Sequence, residues 1–319
     1  MKELLLRFVF SGGNIKRPEF DYTRLRKVHK VSTKHCGDLT VHVQGDASHI
    51  GSSSAVFLTV HDMGSNHADF FPFLGHGSMK KIVEKSVFLH VDLPGQSNNE
   101  SALSDDFKYP SLQQLGEDLI SVVDHFKVKL VVGLGEGCGA NILARFGMTH
   151  PDKILGLLLI HCTSTTAGIM EYFNDKVIKR RLSNVGMNPS ADQYLVFHKY
   201  GSELEKAGSS EGREKLIKDY IDILHEKINA KNLRLLVDAF LNRTDISAIL
   251  KDTLKVDCLL ITGLKASHLH TVDTMYNHMD HTKTQLMKIS DVGDVLHEAP
   301  EKLAQSLLLF VQGLGLCKY

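Results

Sequence analysis

The 319-residue sequence predicts an α/β fold: a mostly parallel central sheet, helices on both of its faces, and a helical insert that interrupts it. Three observations predict it. Short, near-continuous apolar runs alternate with amphipathic stretches through the first half, the pattern of strands covered on both sides. From about residue 166 to 252 only helical periodicity remains, and the alternation then resumes. Within the first half a glycine turn, "GLGEGCG" (133–139), joins an apolar run to a helical stretch.

Taken in order, residues 1–34 show no steady period and read as an N-terminal arm. "LTVHVQG" (39–45), "AVFLTVH" (55–61) and "SVFLHVD" (86–92) are rich in valine, leucine and phenylalanine and bounded by turn residues, so they read as strands. "HADFFPFLGHGSMKKIVEK", between the second and third, has a helical pattern interrupted by Pro72. "YPSLQQLGEDLISVVDHF" is a stronger helix, with Ser111 and Gln114 spaced as a capping box. "VKLVV", the glycine turn, a helix ending before Pro151 and the strand "ILGLLLIH" (154–161) complete a core segment, 35–165. The insert, 166–252, carries apolar stripes on "REKLIKDYIDILHEKI" (213–228) and "LRLLVDAFL" (233–241). "VDCLLITG" (256–263), "TQLMKIS" (284–290) and "EKLAQSLLLFVQGLG" (301–315) restore strand, strand and helix in the last core segment, 253–319. A helical insert of this size in a sheet fold resembles the lid of an α/β-hydrolase.

Composition excludes several classes. Lysine plus arginine equals aspartate plus glutamate, 37 each, so no global field draws the chain to nucleic acid. No apolar run reaches the roughly 18 residues of a membrane span. "MKELLLRFVFSGG" is too short and too charged for a secretory signal, although the basic lean of residues 1–35 leaves an organellar presequence open. Five scattered cysteines without CxxC spacing point to reduced thiols and a cytoplasmic setting.

The glycine turn admits three readings. "GEGCGA" (135–140) fits a dinucleotide fingerprint, but it does not open the first βαβ unit and no acidic residue ends the next strand. A nucleotide P-loop needs a following Lys-Ser/Thr, which is missing. The second reading is a nucleophile elbow, G-x-S-x-G, with Gly135 at the centre and therefore no nucleophile. The other members of such a triad follow the same way: "CLLITGLKA" puts Ala266 where the acid belongs, and "SDVGDVLHEAP" puts Asp294 where the histidine belongs, with His297 three residues on. The third reading is a binding protein on a scaffold without catalytic groups. Its remnant pocket would be lined by His61, Asp62, Met63, Gly64, Glu136 and His297. Backbone N–H groups at Met63 and Glu136 could hold a small anion there, opposed by the Glu136 carboxylate.

"VHDMGSNHADFFPF", "HVDLPGQ", "YPSLQQLGEDL", "GLGEGCGANILARF" and "FVQGLG" together resemble the N-myc downstream-regulated (NDRG) family, from "CGDLTVHVQGD" to the C-terminus and least in the insert. The resemblance implies an α/β-hydrolase fold without the catalytic triad or enzymatic activity, and no cofactor. It also implies a cytoplasmic protein that acts through protein partners in differentiation, stress response and signalling. "GEGCG" departs from the family's usual alanine- or threonine-containing turn. The enzyme alternative is a cryptic hydrolase or lyase using His297 with Glu136 or Asp294; a small-ligand-binding protein is the other.

Other residues have plainer readings. Cys138, in the first helical turn, is expected to be a packed thiol rather than a substitute nucleophile. "HLH" (268–270) and "HMDH" (278–281) form the densest histidine cluster, expected to face solvent without a metal. The stripe Leu216, Ile217, Tyr220, Ile221, Leu224, Ile228 is expected to be lid core.

Overall fold

The computed structural model describes residues 25–50, 55–166, 189–201, 211–267 and 269–316. Eight strands form one sheet: β1 (Leu25–Ser32), β2 (Asp38–Gln44), β3 (Ala55–Val60), β4 (Ser86–Asp92), β5 (Val131–Glu136), β6 (Ile154–Ile160), β7 (Asp257–Gly263) and β8 (Thr284–Ile289). Their spatial order is β1-β2-β4-β3-β5-β6-β7-β8. β2 runs antiparallel to both its neighbours, and β4, β3, β5, β6, β7 and β8 are mutually parallel. The parallel strands are apolar on both faces because both are covered: every residue of β3, β4 and β5 is buried. One apolar cluster lies on each side, the first including Val60, Leu119, Leu143 and Leu236, the second Phe57, Phe88, Leu158 and Leu307.

The boundary expected at residue 34 is corrected. Leu25–Ser32 is not arm but edge strand, in register with β2 from Val28↔His42 to Ser32↔Asp38. Its exposed face alternates Val28, Lys30 and Ser32, too weak an apolar signal to read as a strand. The stretch 67–83, expected to be helical apart from Pro72, is four short helical turns. Pro72 falls in the first turn of the second, Phe71–Leu74, where its missing N–H is harmless.

Helix α1 (Leu112–His125) begins at the predicted capping box: the Ser111 hydroxyl caps the Gln114 N–H, and the Gln114 side chain accepts from the Ser111 N–H. Helix α2 (Gly137–Thr149) follows β5 directly and packs beside α1, Gly116 of α1 leaving room for Arg145 and Phe146. The insert supplies α3 (Pro189–Tyr200), α4 (Glu211–Glu226), α5 (Ala230–Leu241) and α6 (Ser247–Thr253). Tyr220 and Leu224 of α4 and Leu233, Leu236 and Phe240 of α5 turn inward, joining the larger cluster. Helices α7 (Leu269–Asn277) and α8 (Pro300–Gly313) accompany β7 and β8. No helix among the described residues is long and apolar enough to cross a membrane.

Candidate functional site

The glycine turn is sharp, but its centre is not where the spacing placed it. Gly135 lies within β5, paired with Val60 and Leu159, and is glycine because an added Cβ would stand 2.8 Å from the Ala140 nitrogen and 2.9 Å from its Cα. The left-handed residue between strand and helix is Gly137, with φ +50°. The register is therefore Gly135-Glu136-Gly137-Cys138-Gly139, shifted by two residues from the expected one. Gly139 closes the pattern: a side chain there would enter the carbonyls of Val60 and His61, against which α2 rests. Two overlapping G-x-G-x-G frames exist in the sequence, and only the packing of α2 on β3 chooses between them.

A side chain on Gly137 would overlap the carboxylate of Asp62. That carboxylate comes from the loop after β3. Its Oδ1 accepts from the backbone N–H groups of Met63 and Cys138, both at 2.8 Å, and its Oδ2 from His198 Nε2 at 2.9 Å. Two backbone N–H groups, one after β3 and one at the start of the helix after β5, are the pair that receives the oxyanion in acyl-transfer enzymes of this architecture. Here a carboxylate of the chain itself sits on them. His198, next in effect only to the burial that opposes it, holds Asp62 below the usual carboxylate range.

Beside it lies a second buried group. Lys199 Nζ is 2.9 Å from Asp69, 3.0 Å from Glu136 and 3.7 Å from Asp294. His297 is wedged between Asp294 (Nδ1, 2.7 Å) and Asp69 (Nε2, 3.2 Å). Burial works against its charge, but Asp294 and Asp69 win and push its pKa up to about 10. Burial would also raise Asp69 and Asp294; Lys199, followed by His297, holds both well below the ordinary range. Glu136 goes the other way: burial, aided by the three aspartates, outweighs Lys199 and pushes its pKa up. A His297 held as a cation near neutral pH by two aspartates is poorly suited to take a proton from a nucleophile.

The remaining expected residues separate. His61 is buried; its Nε2 accepts from the Leu93 N–H (3.1 Å), so Nδ1 carries the hydrogen to the Asp62 carbonyl (2.8 Å), and burial lowers its pKa. Gly64, at φ +71°, faces Tyr220 and Leu224 so closely that a side chain would overlap them. Ala266 lies in the turn after β7, its N–H bonded to the Gly263 carbonyl. Asp294 caps the helical turn Val295–Glu298 through the Leu296 N–H. Cys138 is fully buried, and burial and then Asp62 push its thiol up, the state of a packed rather than reactive sulfur. Of the histidine cluster, His268 lies outside the described residues, while His278 and His281 bond to the carbonyls of Thr274 and Tyr276.

The chain did not single out Asp69, His198, Lys199 or His161. His161 ends β6 in the left-handed region and accepts from the Val295 N–H, with a pKa lowered to about 4 by burial. The only trace of the lid pair is "FHKYG" (197–201), two basic residues before a glycine, which reads as an ordinary helix end.

Among the described residues, two groups have the spacing of metal ligands. Glu136, His161 and Asp294 surround space into which Lys199 already projects an ammonium. His42 and His67 share Asp92, but their rings are stacked, centroids 3.4 Å apart and 14° from parallel. An ion midway would stand about 1.7 Å, half of 3.4 Å, outside each ring plane, when a Zn–N bond is only about 2.0–2.1 Å. In-plane lone pairs cannot converge from there. Both rings hydrogen-bond instead to the Asp92 carboxylate, at 3.2 and 2.8 Å.

The sheet order, the antiparallel β2, the turn at Gly137 and the lid define a protein of the α/β-hydrolase fold. Solved structures agree: an esterase from Thermogutta terrifontis superposes with a TM-score of 0.67 at 14% identity, over 90% of this chain and 99% of that one. An esterase from a Rhodococcus species gives 0.66 at 13%, again over 90% and 99%. Within that fold the chain belongs to the Ndr family, whose sequence pattern matches residues 28–318. It is 46% identical to an uncharacterized protein of Caenorhabditis elegans, over 89% of this chain and 84% of the relative. It is 30% identical to protein NDRG2 of Bos taurus, over 91% of this chain and 78% of the relative.

Proposed function

We propose that the protein is non-catalytic and acts in the cytoplasm by binding other proteins, as an adaptor in signalling, differentiation or stress response. One observation carries the reading: the position that would present a nucleophile is Gly137, and the N–H pair that would stabilise an oxyanion is filled by Asp62. The acid and base positions, Ala266 and Asp294, offer no proton relay, and His297 is locked as a cation between two aspartates. Acyl transfer needs an attacking group, a base and a vacant electrophilic cradle at once. Membership of the Ndr family supports the interaction role. The buried thiols Cys36, Cys138, Cys162 and Cys258 suit a reducing compartment.

Purified protein incubated with acyl esters of two to twelve carbons is expected to match the buffer rate. Turnover above buffer that vanishes in Asp62→Asn, or covalent capture of a fluorophosphonate, would overturn the non-catalytic reading. For the interaction role, Ile223 and Ile249 are exposed apolar side chains, at 43% and 47%, that a partner could cover. Affinity capture with the full chain is expected to lose specific partners in Ile223→Glu and Ile249→Glu. An unchanged partner set would exclude the lid as the interface.

A further inference from the structure

The carboxyl end of α3 enters the cleft that a hydrolase would leave for substrate. Its last residues meet the loops after β3, β5, β7 and β8. His198 reaches Asp62 after β3, and Lys199 reaches Glu136 at the end of β5. The His198 carbonyl accepts from Ser267 Oγ after β7, at 2.9 Å. Gly201, at φ +82°, and Gly293 after β8 are glycines because side chains there would enter the Lys265 and Tyr200 carbonyls. Arg213 of α4 donates to that same Tyr200 carbonyl.

Lys199 is the centre of this contact. Its side chain is 2% exposed, three carboxyl groups surround its nitrogen, and the Tyr220 ring centroid lies 5.9 Å away. Carboxylates on one side and an aromatic face on the other are the chemistry that recognises an ammonium ion. Three acids around one point repel one another unless a cation sits among them. His297 also contacts Asp69 and Asp294, and Lys199 is the cation that contacts all three acids.

We propose that Asp69, Glu136, Asp294 and Tyr220 form a primary-ammonium site and that Lys199 is its built-in ligand, whose seating latches the lid helix α3 onto the sheet. Whether the cleft catalyses anything does not enter. The latch is electrostatic and specific: the occupant must be a slim cation with three N–H donors. A neutral chain takes the ammonium away from all three carboxyl groups, and a quaternary ammonium has no N–H to donate to them.

Lys199→Ala removes three methylenes and the amine, the outline of n-propylamine. In the full-length variant the melting temperature is expected to fall by roughly 5–10 °C, and amide exchange across residues 192–200 to rise by about tenfold or more. n-Propylamine at ~50 mM should restore at least half of both losses with saturable dependence. 1-Propanol and tetramethylammonium at the same concentration should restore neither, and wild type should respond to none of them. Equal rescue by propanol, rescue by tetramethylammonium, or no rescue at all would overturn the site. If Lys199→Ala does not accumulate in folded form, Lys199→Met supplies the exchange readout. Wild-type protection across 192–200 in Lys199→Met would overturn the latch, and faster exchange confined to α3 and its contacts would support it.

Discussion

Introducing a methyl group at Gly137 should collide with Asp62, and the collision can be isolated energetically. In Gly137→Ala two costs add. A left-handed backbone at φ +50° strains an alanine by about 1–2 kcal/mol. The new Cβ also falls on the Asp62 carboxylate, which is held by two N–H groups at 2.8 Å and His198 at 2.9 Å. Expelling it leaves buried partners unpaired, at roughly 3–5 kcal/mol. Asp62→Ala incurs much the same second cost by itself. In the double variant the methyl group enters the space Asp62 has left, so only the backbone strain is added. The double-mutant cycle should therefore show a coupling of about 3–5 kcal/mol, the whole of the second cost, in the favourable direction. Urea unfolding followed by far-UV circular dichroism measures it; the chain has no tryptophan, and its eight tyrosines provide a second optical probe. Additivity within about 0.5 kcal/mol would refute the assignment of Asp62 to the space above Gly137.

The remaining predictions use the same unfolding assay. Gly135→Ala is expected to cost about 1–3 kcal/mol by pushing α2 off β5, and Asp62→Ala should not relieve it, because its obstacles are Ala140 and Leu143. His297 is raised from about 6.5 to about 10 on folding, so its contribution is fully present below pH 6.5 and is lost as pH rises toward 10. His297→Gln should flatten that alkaline decline, and an unchanged slope would place it elsewhere. Asn232→Ala should cost about 2–3 kcal/mol, since this buried amide joins α5 to the Leu103 N–H and to the Gly95 and Ser101 carbonyls. Faster amide exchange should be confined to α5 and residues 95–103; wild-type protection there would contradict the anchor.

The parallel strands were legible because burial on both faces leaves continuous apolar runs, and Ser111 with Gln114 was legible because a capping box is local. β1 was not: an edge strand with one face in solvent needs little apolar sequence, and its partner's register decides that it forms. The elbow was half legible. Strand, glycines and helix could be read, but two frames fit, and the left-handed residue is set by how α2 meets β3. The residues flanking it in space were illegible for a simpler reason. Lys199 stands 63 positions from Glu136 and 130 from Asp69, and nothing local to "FHKYG" distinguishes a seated cation from a solvated one.

By itself the sequence determined the α/β architecture, the helical insert and the place where strand turns into helix, since hydrophobic periodicity and glycine spacing are properties of neighbouring residues. Tertiary structure alone decided that Gly137 is the turn residue, that Asp62 occupies the adjacent N–H pair, and that Lys199 balances three acids under the lid. Those are matters of charge and volume at one point in space, reached from five separate segments of the chain, and no local pattern encodes which of them will meet.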